Sequence, residues 1–208
     1  MGRYLDAKCR LCRREGVKLF LKGDRCFSPK CPLEKKGAVP PGTHGLGRRR
    51  RKLSEYGVQL REKQKAKRLY GVRERQFKKY FDRARKEKQA TGEVLFQILE
   101  SRLDNVIYRL GLAPSRTTAR QLISHGHVQI EGKKVDIPSY EVKLGETISL
   151  TPQGAKIKSV KDHLERKEAT TPAWLERKAT AGQIKRLPKR DEIEANINEQ
   201  AIVEFYSR

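Results

Sequence analysis

Long hydrophobic runs are missing from this 208-residue sequence: none approaches the roughly 18–20 apolar residues that a bilayer-spanning helix needs. Acidic residues are scarce, 25 Asp and Glu against 48 Lys and Arg, which leaves a formal net charge of +23. A compact body so charged repels itself, so the composition calls for a polyanionic partner, nucleic acid before any other. Tryptophan is reduced to Trp174, and with it goes the Trp, Phe and Leu face of an amphipathic membrane-surface helix. No P-loop or dinucleotide-binding glycine pattern occurs, and His44, His125, His127 and His163 form no Ser/His/Asp or Cys/His arrangement. We expect no enzyme, no membrane partner and no small-molecule substrate. Cysteine is absent after residue 31, and the charged start Met1-Gly2-Arg3-Tyr4 lacks a secretory signal. A soluble, cytoplasmic chain with reduced thiols is expected.

The cysteines that are present are sharply spaced, as Cys9-x2-Cys12-x13-Cys26-x4-Cys31. Two close pairs separated by a loop suit one tetrahedral site, because zinc takes four thiolate or imidazole ligands at about 2.0–2.3 Å and short knuckles deliver them without a core. Two disulfides are the competing reading, opposed by the reducing compartment. We expect one zinc ion on Cys9, Cys12, Cys26 and Cys31. The spacing leaves an iron–sulfur cluster open as the alternative.

The positive charge is uneven. Residues 1–92 hold 29 Lys and Arg against 9 Asp and Glu, an excess of +20, whereas 93–208 hold 19 against 16. Phosphate neutralisation should therefore fall mainly to the first half. There Arg3, Arg10, Arg13, Arg14 and Lys18 flank the cysteines, His44 closes the extended run Pro40-Pro41-Gly42-Thr43, and Arg48, Arg49, Arg50, Arg51 and Lys52 form a cationic tract.

From Ser54, a good N-cap, a charged helix runs through Arg61, Lys65 and Arg68 to a stop at Gly71. A second fits Glu74 to Gln89, with Phe77 and Phe81 on its apolar face, and a third fits Glu93 to Leu110. Ser115 caps a short helix over 116–124 that Gly126 ends. Strands are expected at 127–130, 133–135 and 147–150, joined in part by a Glu131-Gly132 turn. Over 151–190 the periodicity is weak, and mixed loops with one helix near 161–168 are expected. On the short helix and hairpin, Arg116, Thr117, Arg120, His125, His127, Lys133 and Lys134 can form one basic face for RNA.

These residues carry a resemblance. Ser101-Arg102-Leu103-Asp104-Asn105-Val106-Ile107-Tyr108-Arg109-Leu110-Gly111, continued by 115–127 and 132–140, resembles the small RNA-binding domain named after the fourth protein of the small ribosomal subunit. Pro40-Pro41-Gly42-Thr43-His44-Gly45, Gln59-Leu60-Arg61-Glu62-Lys63, Tyr70-Gly71-Val72 and Ile202-Val203-Glu204-Phe205-Tyr206-Ser207-Arg208 extend it to the bacterial ribosomal protein family itself, in a four-cysteine variety. The fold class expected is α+β: a metal-knuckle arm (1–45), a helical domain (46–98, completed by 166–208 packing on it), and an inserted RNA-binding domain of helices plus a short antiparallel sheet (99–165). The resemblance implies a structural constituent of the small subunit that binds the 5′ domain of its RNA and nucleates assembly. It also implies a place near the messenger entry beside the third and fifth small-subunit proteins, with a role in decoding accuracy. An RNA-binding accessory or modification factor carrying the same domain is the alternative.

Overall fold

A computed structural model of the chain describes residues 4–43, 45, 52–165, 171–193 and 196–207. The chain divides into two compact units, 1–92 with 195–208 and 93–194. Helices dominate the first unit, and the second adds an antiparallel sheet, an α+β chain as expected.

The first unit begins with two short helices, α1 (Cys9–Glu15) and α2 (Pro32–Lys36), separated by a 3-10 turn at Gly23–Cys26. Helix α3 (Glu55–Leu69) starts where Ser54, in extended conformation, accepts the Gly57 amide through its hydroxyl at 3.2 Å. Its buried face is Gln59, Lys63, Ala66 and Leu69, spaced three to four apart as one helical stripe requires. Helix α4 (Glu74–Ala84) buries Phe77 and Phe81 and ends five residues before the expected Gln89. The last helix of the chain, Glu199–Ser207, lies along α3: Gln59 donates to Glu204 at 2.9 Å, and the Asn198 amide donates to Glu62 at 2.9 Å. Tyr206 stacks on Phe81 with ring centroids 4.7 Å apart, so the apolar residues of the C-terminal stretch complete this core.

In the second unit the expected single helix over 93–110 is two helices, α5 (Thr91–Glu100) and α6 (Leu103–Arg109). Arg102 takes extended torsions (φ −64, ψ 137) and bridges Glu141, while the Leu103 amide donates to the Tyr140 carbonyl at 2.8 Å. Backbone pairing with a distant segment thus competes with the helical ladder and wins at that point. Helix α7 (Arg116–Ser124) follows, its Thr118 amide bonded to the Ser115 hydroxyl at 3.2 Å.

Five antiparallel strands form one sheet: β1 (Val128–Ile130), β2 (Lys133–Lys134), β3 (Thr147–Leu150), β4 (Leu175–Lys178) and β5 (Ala181–Ile184), in the spatial order β2-β1-β3-β5-β4. Two helices, α8 (Pro152–Lys156) and α9 (Lys158–Glu165), lie between β3 and β4. The final helix, Glu199–Ser207, is α10. Leu103, Ile107, Leu110, Leu122, Val128, Ile148, Trp174 and Ile184 are among the buried residues of the unit's single core.

Two expectations need correction here. The helix expected near 161–168 is present as α9 but starts at Lys158, and the described residues of 151–190 are more ordered than mixed loops, adding α8 and the β4–β5 hairpin. Nor does 166–208 return to the helical unit as a whole, because β5 pairs with β3 through Thr147↔Gln183, Ile148↔Gly182 and Ser149↔Ala181, and only 195–208, which carries α10, belongs to the first unit. Residues 166–170, like Arg3, His44, Arg48, Arg49, Arg50 and Arg51, lie outside the described residues.

Candidate nucleic-acid interface and cysteine cluster

The cysteines come from three local structures. Cys9 and Cys12 sit on successive turns of α1, Cys26 ends the 3-10 turn, and Cys31 precedes α2 at its N-cap. All four line one cavity of about 20 Å³, and none is in a disulfide. Desolvation pushes the Cys12 and Cys26 thiols above the usual range. Among the described residues, no three His, Cys, Asp or Glu side chains are arranged as a ready metal cage. The donor set nevertheless suits a soft ion: four free thiols on one small, largely apolar cavity.

The cations of the first unit divide into bonded and exposed. Arg13 donates through its guanidinium to the carbonyls of Val39 at 2.8 Å and Pro40 at 3.2 Å, tying the extended loop to α1. Arg61 and Arg68 both pair with Glu15, whose side chain is only 1% exposed. Burial pushes the Glu15 carboxyl up, and the two guanidiniums oppose that. Lys65 donates to Glu62 at 2.6 Å and to the Asn196 carbonyl at 3.1 Å, and Lys18 pairs with Glu34. Arg10 and Arg14, by contrast, are exposed on α1, and Lys52 is exposed ahead of α3.

In the second unit the expected basic face is held from beneath by a network that sequence reasoning missed. Glu100 and Asp104 have side chains 1% and 5% exposed. Asp104 takes Arg102 in a two-pronged pair at 3.0 and 2.6 Å and also accepts from Arg120 at 3.1 Å. Asn105 donates to the Glu100 carboxylate at 2.6 Å and accepts the Arg116 Nε at 2.7 Å, and Arg109 closes on Glu100 at 3.1 Å. The Arg116 guanidinium lies 4.5 Å from the Tyr108 ring centroid. The signal was present: Glu100, Ser101, Arg102, Asp104 and Asn105 interrupt the apolar run, and a helix face that carries such groups must satisfy them.

Arg116 and Arg120 are thus fixed on one side of α7, one turn apart, with Thr117 exposed beside them. His125 and His127 follow with ring centroids 6.3 Å apart, and Lys133 and Lys134 are exposed on the edge strand β2. Glu131 and Gly132 turn the hairpin with φ of 48 and 76, and the Glu131 carboxylate accepts the Thr147 amide at 2.5 Å, which compensates for a side chain in the left-handed region. Pre-set guanidiniums beside free lysines are suited to phosphate groups along a nucleic-acid backbone.

Residues 3–100 match the family described as ribosomal protein S4/S9 N-terminal domain, and residues 101–148 match the S4 domain. The chain is 53% identical over 210 residues to small ribosomal subunit protein uS4A of Symbiobacterium thermophilum, with all of both chains covered. It is 53% identical to uS4 of Pelotomaculum thermopropionicum and 54% identical to uS4 of Dictyoglomus turgidum, again end to end.

Proposed function

Because the chain belongs to the uS4 family of small ribosomal subunit proteins, we propose that it works as a structural, RNA-binding constituent of that subunit in the bacterial cytoplasm. The family is structural rather than enzymatic. The observation that carries the reading is identity of 53–54% along the whole chain. Within the second unit, the half-buried Arg116 and Arg120 of α7 and the exposed Lys133 and Lys134 of β2 supply cations for it, and within the first unit the exposed Arg10 and Arg14 of α1 do so. The test is binding of the full chain to a structured fragment of small-subunit ribosomal RNA and to a DNA duplex of equal charge across a salt series. Tighter RNA binding with a steep salt dependence is expected, and equal affinity for the duplex refutes it.

The finer reading is that the 5′ domain of the RNA is the target, that binding is early and nucleates assembly, and that the third and fifth small-subunit proteins are neighbours near the messenger entry. Influence on decoding accuracy belongs to the same proposal. Depletion of the chain from an in vitro assembly mixture is expected to stall the 5′ domain before those two proteins join.

Cys9, Cys12, Cys26 and Cys31 would hold one zinc ion, which supplies a cross-link between short helices that have no core of their own. What supports this is the convergence of four unpaired thiols on one cavity. Residues 1–45 then act as a stapled arm that keeps Arg10 and Arg14 facing phosphates. Elemental analysis and the visible spectrum of protein purified without oxygen distinguish zinc from an iron–sulfur cluster. Cys12→Ser is expected to expose the arm to protease while 93–150 stays protected, and an equally resistant arm counts against the staple.

A further inference from the structure

The second unit holds a cavity of about 110 Å³ that shares His125 and His127 with the basic face but is otherwise lined by residues the phosphate-binding reading leaves unused. Its apolar lining is Leu122 and Ile157, and Gln121, His125, His127 and Ser159 converge on it from α7, the turn after it, and α9. Gln121, His125 and Ser159 are exposed, so the cavity opens to solvent, and its volume is of the order of the ~150 Å³ that holds one benzene ring.

The lining also differs from its surroundings in what its polar groups do. The charged side chains of α6 and α7 are bonded to one another, whereas Gln121, His125, His127 and Ser159 have no side-chain hydrogen bond among the described residues. A side-chain amide, two imidazoles and a hydroxyl together offer both donors and acceptors, the mixture that pairs with the edge of a nucleobase. Cations stand next to the cavity instead. Lys134 runs its stem across Gly126, between the two histidines, where any Cβ would collide with it, and Lys158 precedes Ser159 on α9. The buried, left-handed Gly126 (φ 71) is the residue that permits this approach.

We infer that this cavity receives one unstacked base of the bound RNA while Lys134 and Lys158 hold the adjoining phosphates. The inference rests on the RNA-binding reading above and adds the ligand class of one subsite. Proteins that read RNA sequence do so largely at bases splayed out of loops and bulges, which makes a single-base pocket beside a phosphate-binding helix a source of specificity that the lysines cannot provide.

The test compares the full chain on five RNA hairpins of equal length, one fully paired and four carrying a single bulged A, C, G or U, with a DNA duplex as control. At least one bulged hairpin should bind roughly tenfold tighter than the paired one, the discrimination that one set of base-edge hydrogen bonds provides. Ser159→Phe, an exposed position whose larger side chain fills the cavity, should erase that gain, and Gln121→Ala should reduce it. Both should leave affinity for the paired hairpin unchanged. If no bulge improves on the paired hairpin, or if the gain survives Ser159→Phe undiminished, the subsite is refuted while the RNA-binding reading stands. If the paired hairpin binds no better than the DNA duplex, the RNA-binding reading fails and the subsite with it.

Discussion

Asp104 does more than its place in a helix sequence suggests. It is 3% exposed, takes both prongs of the buried Arg102, and steadies Arg120 at the surface. Asp104→Asn keeps the shape but removes the charge facing a buried guanidinium, so a loss of about 3–5 kcal/mol in unfolding free energy is expected from urea denaturation. Arg120→Gln, at the exposed edge of the same network, should cost no more than about 1 kcal/mol. A second residue-scale prediction concerns pH. Burial raises the Glu74 carboxyl, but hydrogen bonds from Lys63, Lys67 and Tyr206 outweigh it and hold it at about 2. A folded value below the unfolded one means stability that is fully present above about 4.5 and lost as pH falls towards 2. Glu74→Gln should flatten that part of the stability–pH curve, followed by the denaturation midpoint between neutral pH and about 2.5. Of the site residues, the convergence of the four cysteines was legible because the spacing within each pair is local. Glu100 and Asp104 were marked only as polar groups in an apolar run, and their partners were not legible, because α7 brings Arg120 to Asp104, and Arg116 to the Asn105 that bonds Glu100, from beyond that window.

At the scale of elements, legibility followed periodicity. Helix α3 was marked by Ser54 at one end and Gly71 at the other, and both act as expected. The division of 93–110 was not marked, because its apolar residues continue in helical phase through Ser101 and Arg102, and the break is imposed by pairing with Tyr140 and Glu141. The β4–β5 hairpin was hidden for a different reason. Its strands carry few alternating apolar residues, and the fit depends on Gly182, where a Cβ would lie 2.6 Å from Leu110 Cδ2 and 2.8 Å from the Glu176 carbonyl. Gly182→Ala should therefore destabilise the second unit by about 1–3 kcal/mol, read by thermal unfolding. In the first unit, Ile202 of α10 is fully buried, and Ile202→Ala should cost about 2–5 kcal/mol and release the C-terminus to carboxypeptidase.

For the whole molecule, part of the +20 excess in residues 1–92 is committed inside the protein, although Lys22, Arg25, Lys78, Lys79, Arg83 and Lys86 of that half are also exposed. Arg13, Arg61, Lys65 and Arg68 are bonded within the protein, and among the described residues the exposed site cations there are Arg10, Arg14 and Lys52. The nearly neutral second half can still present a basic face, because Glu100 and Asp104 are buried beneath α7 while Lys133 and Lys134 stand exposed on the edge strand. Replacing Arg10 and Arg14 by Gln, and separately Lys133 and Lys134 by Gln, should each lower the salt slope of RNA binding by about 2, roughly one unit for each phosphate left without its cation.

Sequence alone determined that this chain meets a polyanion, because net charge is a sum over residues and survives any fold. It also determined the spacing of the two cysteine pairs, the principal helices and the family resemblance, all properties of short windows or of residue order. Which cations face outward, where the helix at 101–102 breaks, how residues 175–184 join the sheet, and which uncommitted polar groups converge on a cavity were decided only by tertiary structure. Each depends on pairing between residues tens of positions apart, where burial leaves a polar group no alternative but its partner.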